Sequence, residues 1–186
     1  MNKVIQILAI SGSLRAVSSN TALLRAASIL ATDGVAIALY SGLNDLPHFN
    51  PDLEGTDAEP ASVLDFRTQL LESDGVLISS PEYAHGVPGV LKNALDWIVG
   101  SGELVGKPVA LLNASPRATH GQASLRETIS VMDARIIDEA SIALPLLGRN
   151  LDEIGIASDA ELSEPLRSAI SAFVTSISPK FFSGSA

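Results

Sequence analysis

The sequence predicts an α/β fold: one doubly wound sheet of five parallel strands in the order 2-1-3-4-5, with helices on both faces. Three observations carry that expectation. Apolar runs of strand length, rich in β-branched residues, alternate with patterns of helical period along the chain. The first run, Val4–Ile10, passes straight into small hydroxyl residues and one glycine before a helical pattern begins. No internal repeat or low-complexity linker interrupts the 186 residues, a length that suits one domain with a sizeable core.

The first helix is expected from about Ser19 to Ala31. Leu23, Leu24, Ala27 and Leu30 are spaced there to bury one face, and Gly34 just beyond is a stop signal. Val35–Tyr40 reads as the second strand. Ser41–Pro60 is a long connection punctuated by Gly42, Pro47, Pro51 and Gly55, of a length that is usually functional or mobile. Within it, Leu46-Pro47-His48-Phe49 stands where it could lean over a site, and His48 reads as a solvated loop histidine. Ala61–Ser73 is the next helix, with Val63, Leu64, Phe66, Leu70 and Leu71 apolar, and Val76–Ser80 is a third strand apolar enough to be central. Pro88 can open a helix from Gly89 to Val99, whose Trp97 reads as core or subunit interface and whose Lys92 and Asp96 form an i,i+4 pair. Val109–Ala114 is the fourth strand, followed by a helix from about Gln122 to Met132. The fifth strand is expected within Arg135–Ala143, running as far as Leu144-Pro145, and a last helix from about Asp159 to Ile177. Residues 1–182 are read as a single domain and Ser183–Ala186 as a frayed tail.

Composition narrows the function. A net charge of −9 with no basic cluster argues against nucleic acid or an anionic membrane surface as a partner. The absence of cysteine excludes disulfides, thiolate catalysis and iron–sulfur ligation, and no metal ligands are assigned. At 46% hydrophobic and 18% charged residues the chain is globular, and with 4% aromatics its core is aliphatic. No apolar run approaches membrane-spanning length, and strand-forming sequence begins almost at Met1 with no room for a signal peptide. A soluble, cytoplasmic protein is expected.

In the expected strand order, the loops after strands one, three and four leave the same carboxyl edge beside the topological switch point. Ser11–Thr21, Pro81–Pro88 and Ser115–Gly121 therefore converge on one crevice. The first of these loops aims backbone N–H groups and the positive end of a helix dipole at one place. Ser11, Ser13, Ser18 and Ser19 can donate hydroxyls there, and Arg15 adds a full positive charge. This is a phosphate cradle, although the same serines also suit an ordinary helix cap. Neither GxxxxGK[ST] nor GxGxxG is present, and a nucleophile elbow would need glycine at Ala9. A monophosphate is the ligand such a loop suits.

Gly12-Ser13-Leu14-Arg15 with Ser18-Ser19-Asn20, and Pro81-Glu82-Tyr83 with Gly86-Val87-Pro88-Gly89-Val90-Leu91-Lys92-Asn93-Ala94-Leu95-Asp96-Trp97, resemble the NADPH-dependent FMN reductase family. This flavodoxin-like group includes quinone, chromate and azo-dye reductases. The likeness covers nearly the whole chain, including Leu46-Pro47 and Asn50-Pro51-Asp52-Leu53. It implies bound FMN, NADPH or NADH as electron donor, a homodimer or homotetramer, and a quinone, free flavin, azo dye or chromate as acceptor. It assigns cofactor binding to Ser11, Ser13, Leu14, Arg15, Ser18, Ser19 and Asn20 in the first loop, with the phosphate. Pro81, Glu82, Tyr83 and Ala84 would lie against the flavin ring, and Ser115 with Arg117 along its other edge.

Two departures stand out. Ala84 replaces an asparagine common in relatives, and Arg117-Ala118-Thr119-His120 replaces a glycine-rich stretch. Arg117 either meets the dinucleotide or the flavin's N1–C2 edge, or faces solvent; Tyr83 is either ring wall or surface tyrosine. The function expected is hydride transfer from NAD(P)H through FMN to a small acceptor by ping-pong exchange, with no dedicated catalytic acid or base. The alternative is a flavodoxin-like electron carrier, which the acidic surface would suit. A serine hydrolase using Ser11 or Ser13 with His85 or His120 lacks the elbow.

Overall fold

The fold is organised around β1 (Ile5–Ser11), which lies between β2 (Val35–Leu39) and β3 (Gly75–Ser79); β4 (Pro108–Leu112) and β5 (Arg135–Ile136) extend the sheet beyond β3. The computed structural model describes residues 3–177, and the tail expected at Ser183–Ala186 lies outside them. All four strand pairings are parallel, so the order 2-1-3-4-5 is the expected one. Parallel neighbours need crossover connections, which place helices on both faces.

Alternation along β1 divides the core in two. Ile5, Ile7 and Ala9 pack with α1 (Ser19–Leu30), α5 (Glu153–Ser158) and α6 (Ala160–Ile177) through Leu23, Leu24, Leu30, Ile156, Leu166 and Phe173. Leu8 and Ile10 pack on the other face with α2 (Ala61–Glu72), α3 (Gly89–Asp96) and α4 (Thr119–Val131) through Phe66, Leu70, Leu91, Leu95, Leu125 and Ile129. Each such buried side chain contributes about 1.5–3 kcal/mol. Trp97 is fully buried in the second cluster, and its indole N–H donates to Pro47 O at 2.8 Å. No helix among the described residues is long and apolar enough to cross a membrane.

The structure corrects four details of the sequence reading. β5 has only two residues, because Asp138–Ala140 leaves the ladder as a 3-10 turn. Ser141 Oγ then takes the Leu111 N–H at 3.1 Å and donates to Ile137 O, and parallel pairing resumes only at an Asn113–Ala143 bridge. α4 starts at Thr119, not near Gln122, with Gly121 inside its first turn. A short helix, α5, precedes α6 where a loop was expected; Asp152 Oδ1 caps it by accepting from Gly155 N at 2.8 Å. Finally, the long connection does not lean over the crevice. It carries a 3-10 turn at Gly42–Asp45 and is tied to α3, where Asn93 accepts from Phe49 N at 2.8 Å and donates to Pro47 O at 2.9 Å. Phe49 meets Trp97 edge to face, with centroids 5.1 Å apart.

Arg67 secures the same connection from α2. Its guanidinium is 11% exposed and reaches Glu59, Glu54 at 3.1 Å and Glu103 at 3.6 Å, and it donates to Trp97 O at 2.6 Å.

Candidate functional site

The first loop is braced mostly by its own hydroxyls. Ser18 caps α1, its Oγ accepting from Thr21 N at 3.3 Å, while the N–H groups of Ser19 and Asn20 take no partner among the described residues. Ser11 turns inward to Thr21, with the two hydroxyls 2.8 Å apart, and so holds the loop against the helix it feeds. Ser13 Oγ takes the Arg15 N–H at 3.4 Å. Gly12 lets the loop lie close against the next strand end, since a Cβ there would stand 2.8 Å from Ser80 Oγ and 3.1 Å from Leu91 Cδ2. Asn20 is nearly buried and fixed from below: Ser79 Oγ donates to its Oδ1 at 2.9 Å, which leaves its amide as a donor.

The second loop is a tight hairpin. Tyr83 and Gly86 exchange two backbone bonds of 3.2 and 2.9 Å around Ala84 (φ 49°) and His85 (φ 61°). Two successive left-handed residues are the signature of a type I′ turn, which ordinarily selects Asn-Gly. With a side chain and a positive φ, the alanine at position 84 holds a conformation that costs strain. The third loop is built on Asn113, whose Oδ1 accepts from Ser115 N at 2.9 Å and whose amide donates to Ala118 O at 3.3 Å.

The three loops enclose a cavity of about 360 Å³, within the range of small-molecule sites. Of the residues singled out in the sequence, Ser13, Arg15, Ser18, Ser19, Asn20, Pro81, Glu82, Tyr83, Ser115 and Arg117 line it. Ser11, Leu14 and Ala84 do not. Ser11 is the internal brace, Ala84 forms the hairpin tip, and Leu14 lines a neighbouring recess of about 390 Å³ with Pro88 and Val90. That recess shares Arg15 and Tyr83 with the main cavity. Sequence reasoning missed Ser80, Asn113, Ala114, Ala118 and Leu147 in the lining. Ser80 and Asn113-Ala114 had a signal, being the last residues of expected strands at the carboxyl edge. Leu147, from the segment after β5, had none.

Charge in the cavity is unevenly committed. Arg15 and Arg117 have no acidic partner among the described residues. Glu82 is engaged, its Oε2 accepting from Gly121 N at 2.7 Å. His85 and His120 stack on each other with centroids 4.4 Å apart and line no part of the cavity. Among the described residues, no cluster of side chains could hold a metal ion. The arrangement offers an anion site at the start of α1 and, beside it, a wall of Pro81, Tyr83, Ala114 and Leu147 for a flat apolar group.

Comparison with known proteins gives the same reading. The chain is 36% identical over 165 residues to an NAD(P)H-dependent FMN reductase of Pseudomonas aeruginosa, covering 82% of this chain and 88% of that one. It is 28% identical over 179 residues to a quinone reductase of Escherichia coli, covering 93% and 95%. Among solved structures it is similar to the flavoenzyme NAD(P)H:(acceptor) oxidoreductase of Paracoccus denitrificans, with a TM-score of 0.81 at 30% identity over 94% of this chain and 97% of that one. Flavodoxin 1 from Bacillus cereus shares the fold, with a TM-score of 0.60 at 16% identity, covering 91% and 97%. With a match to the family pattern over residues 5–146 as well, the chain belongs to the NADPH-dependent FMN reductase family.

Proposed function

We propose that this protein is an FMN-dependent NAD(P)H oxidoreductase that passes two electrons to a small acceptor of the quinone type. The observation that carries the reading is the pairing, in one cavity, of unspent anion donors with an apolar wall. Those donors fit a phosphate: the free N–H groups of Ser19 and Asn20, the hydroxyls of Ser13 and Ser19, the Asn20 amide and the Arg15 guanidinium. Pro81, Tyr83, Ala114 and Leu147 would hold the ring, with backbone groups of the second and third loops at its polar edges. When bound, FMN supplies reversible two-electron chemistry between a nicotinamide donor and its acceptor.

The chain's own task is binding, orientation and access. Arg15 would neutralise the phosphate, and Ser79, by occupying the Asn20 Oδ1, leaves the Asn20 amide free to donate to it. Arg117 lies free at the cavity to receive an anionic group of the dinucleotide. Donor and acceptor take turns at the open mouth, in a ping-pong sequence, and the recess behind Leu14 and Tyr83 gives them further apolar contact. The exposed apolar side chains Leu14, Val17, Tyr83 and Leu147 support assembly into a homodimer or homotetramer, which light scattering would measure. A cytoplasmic location is consistent with nicotinamide-dependent reduction.

The test is a visible spectrum of protein loaded with FMN and desalted, followed by anaerobic NADPH and then a quinone. A retained flavin band that bleaches with NADPH and returns with quinone is expected. A band that NADPH cannot bleach would favour an electron carrier, and failure to retain or turn over FMN would overturn the reading.

A further inference from the structure

α4 begins without a cap of its own. The residue before it is Ala118, whose methyl group offers no acceptor to the helix's first N–H groups. A Ser, Thr, Asp or Asn there would ordinarily accept from the second or third helical residue. The third residue here is Gly121, and its N–H donates instead to Glu82 Oε2 at 2.7 Å, 39 positions away in sequence. The carboxylate also meets the positive end of the helix dipole. Glycine eases the approach: a Cβ at position 121 would stand 3.0 Å from Glu82 Cγ and 3.2 Å from Gly86 O, close enough that a neighbour would have to shift by a few tenths of an ångström. A second contact runs alongside, the stacked rings of His85 on the hairpin and His120 in the first turn of α4. The hairpin and the start of α4 are thus joined twice, and these are the segments that bring Pro81, Tyr83, Arg117 and Ala118 to the cavity.

We propose that Glu82 is a positioning residue: its carboxylate, by capping α4 from the second loop, clasps the two ring-side walls at the spacing a flavin needs. This rests on the reading of the cavity as an FMN site. It separates two tasks within one residue, the backbone facing the cavity and the side chain tying the walls together.

Three variants test it: Glu82→Ala, Glu82→Gln, and Glu82→Ala combined with Ala118→Ser, which gives α4 a local, uncharged cap without the clasp. FMN affinity is read by quenching of flavin fluorescence, and stability of the flavin-free protein by urea unfolding. Loss of this charged hydrogen bond is expected to weaken FMN about tenfold in Glu82→Ala. The amide oxygen of Glu82→Gln can still accept from Gly121, so affinity should recover to within about threefold of wild type. The double variant is expected to regain the urea midpoint but not the FMN affinity. Wild-type affinity in Glu82→Ala, or recovery of affinity by the double variant, would overturn the clasp. If wild-type protein itself does not bind FMN, the functional reading falls and the clasp falls with it.

Discussion

Arg67 and the pair Arg15 and Arg117 carry the same group into opposite surroundings. Arg67 is held by three carboxylates and one carbonyl, and it joins α2 to the long connection and to the segment after α3. Arg15 and Arg117 are exposed at a cavity and have no carboxylate partner among the described residues. In a chain with 21 acidic and 12 basic residues, these two arginines combine the lack of a carboxylate partner with a place in the cavity lining. A guanidinium surrounded by carboxylates of its own chain stabilises the fold; one without them at a cavity is available to an incoming anion. The location of the partners, rather than exposure alone, separates the two roles.

The strongest way to break this comparison is Arg67→Ala. It strands Glu54, Glu59 and Glu103 together, and a loss of about 3–5 kcal/mol in urea unfolding is expected. A loss below 1 kcal/mol would show that the cluster is not structural. Next comes Arg15→Ala, which should weaken FMN by about 10- to 100-fold, as loss of a charge-assisted contact does, while stability stays within about 0.5 kcal/mol. Equal flavin occupancy in mutant and wild type would remove Arg15 from the phosphate site. Arg117→Ala sharpens the contrast between the two free arginines: KM for NADPH is expected to rise about fivefold, the size of one exposed charge contact, with FMN affinity changed less. The reverse pattern would move Arg117 to the flavin.

The smallest effect concerns a buried group that lacks a partner of either kind. The Tyr40 hydroxyl makes no hydrogen bond among the described residues, and burial, with Asp65 and Asp45 adding repulsion, pushes the phenol up to about 12. The neutral phenol therefore contributes stability that is full below its ordinary value near 10 and is lost as pH rises toward 12. Tyr40→Phe should raise stability by about 1 kcal/mol, by removing an unsatisfied polar atom, and flatten the fall in stability between pH 10 and 12. Thermal unfolding across that range would measure both.

Much of the fold was legible because its information is local. β-branched runs such as Val4–Ile10 and Val76–Ser80 announce buried parallel strands, and the strand order then sends three loops to one edge. The first loop was legible for the same reason, since Ser18 capping Thr21 spans only three residues. What escaped depends on distant partners. The start of α4 is set by Glu82, so Gly121 read as loop punctuation. The shortness of β5 follows from Ser141 taking a ladder bond that a strand residue would have made. Leu46–Phe49 stays away from the cavity because Asn93 and Trp97 hold Pro47, a contact between residues nearly fifty apart. Ser11, chosen as a ligand for its hydroxyl, has that hydroxyl engaged with the Thr21 hydroxyl.

The central place of β1 also bears on the order in which the chain emerges during synthesis. By residue 79 the ribosome has delivered β2, β1 and β3, already neighbours in the finished sheet, together with the whole Ser11–Thr21 loop. The helix that opens from this loop then has only the sheet to pack on, because its other neighbours, α5 and α6, begin only at Glu153. A nascent chain therefore carries the Ser11–Thr21 loop with the apolar side of α1 only partly covered until its last helices arrive. Chains halted before residue 153 would expose the part of α1 that α5 and α6 cover to chaperones and to one another.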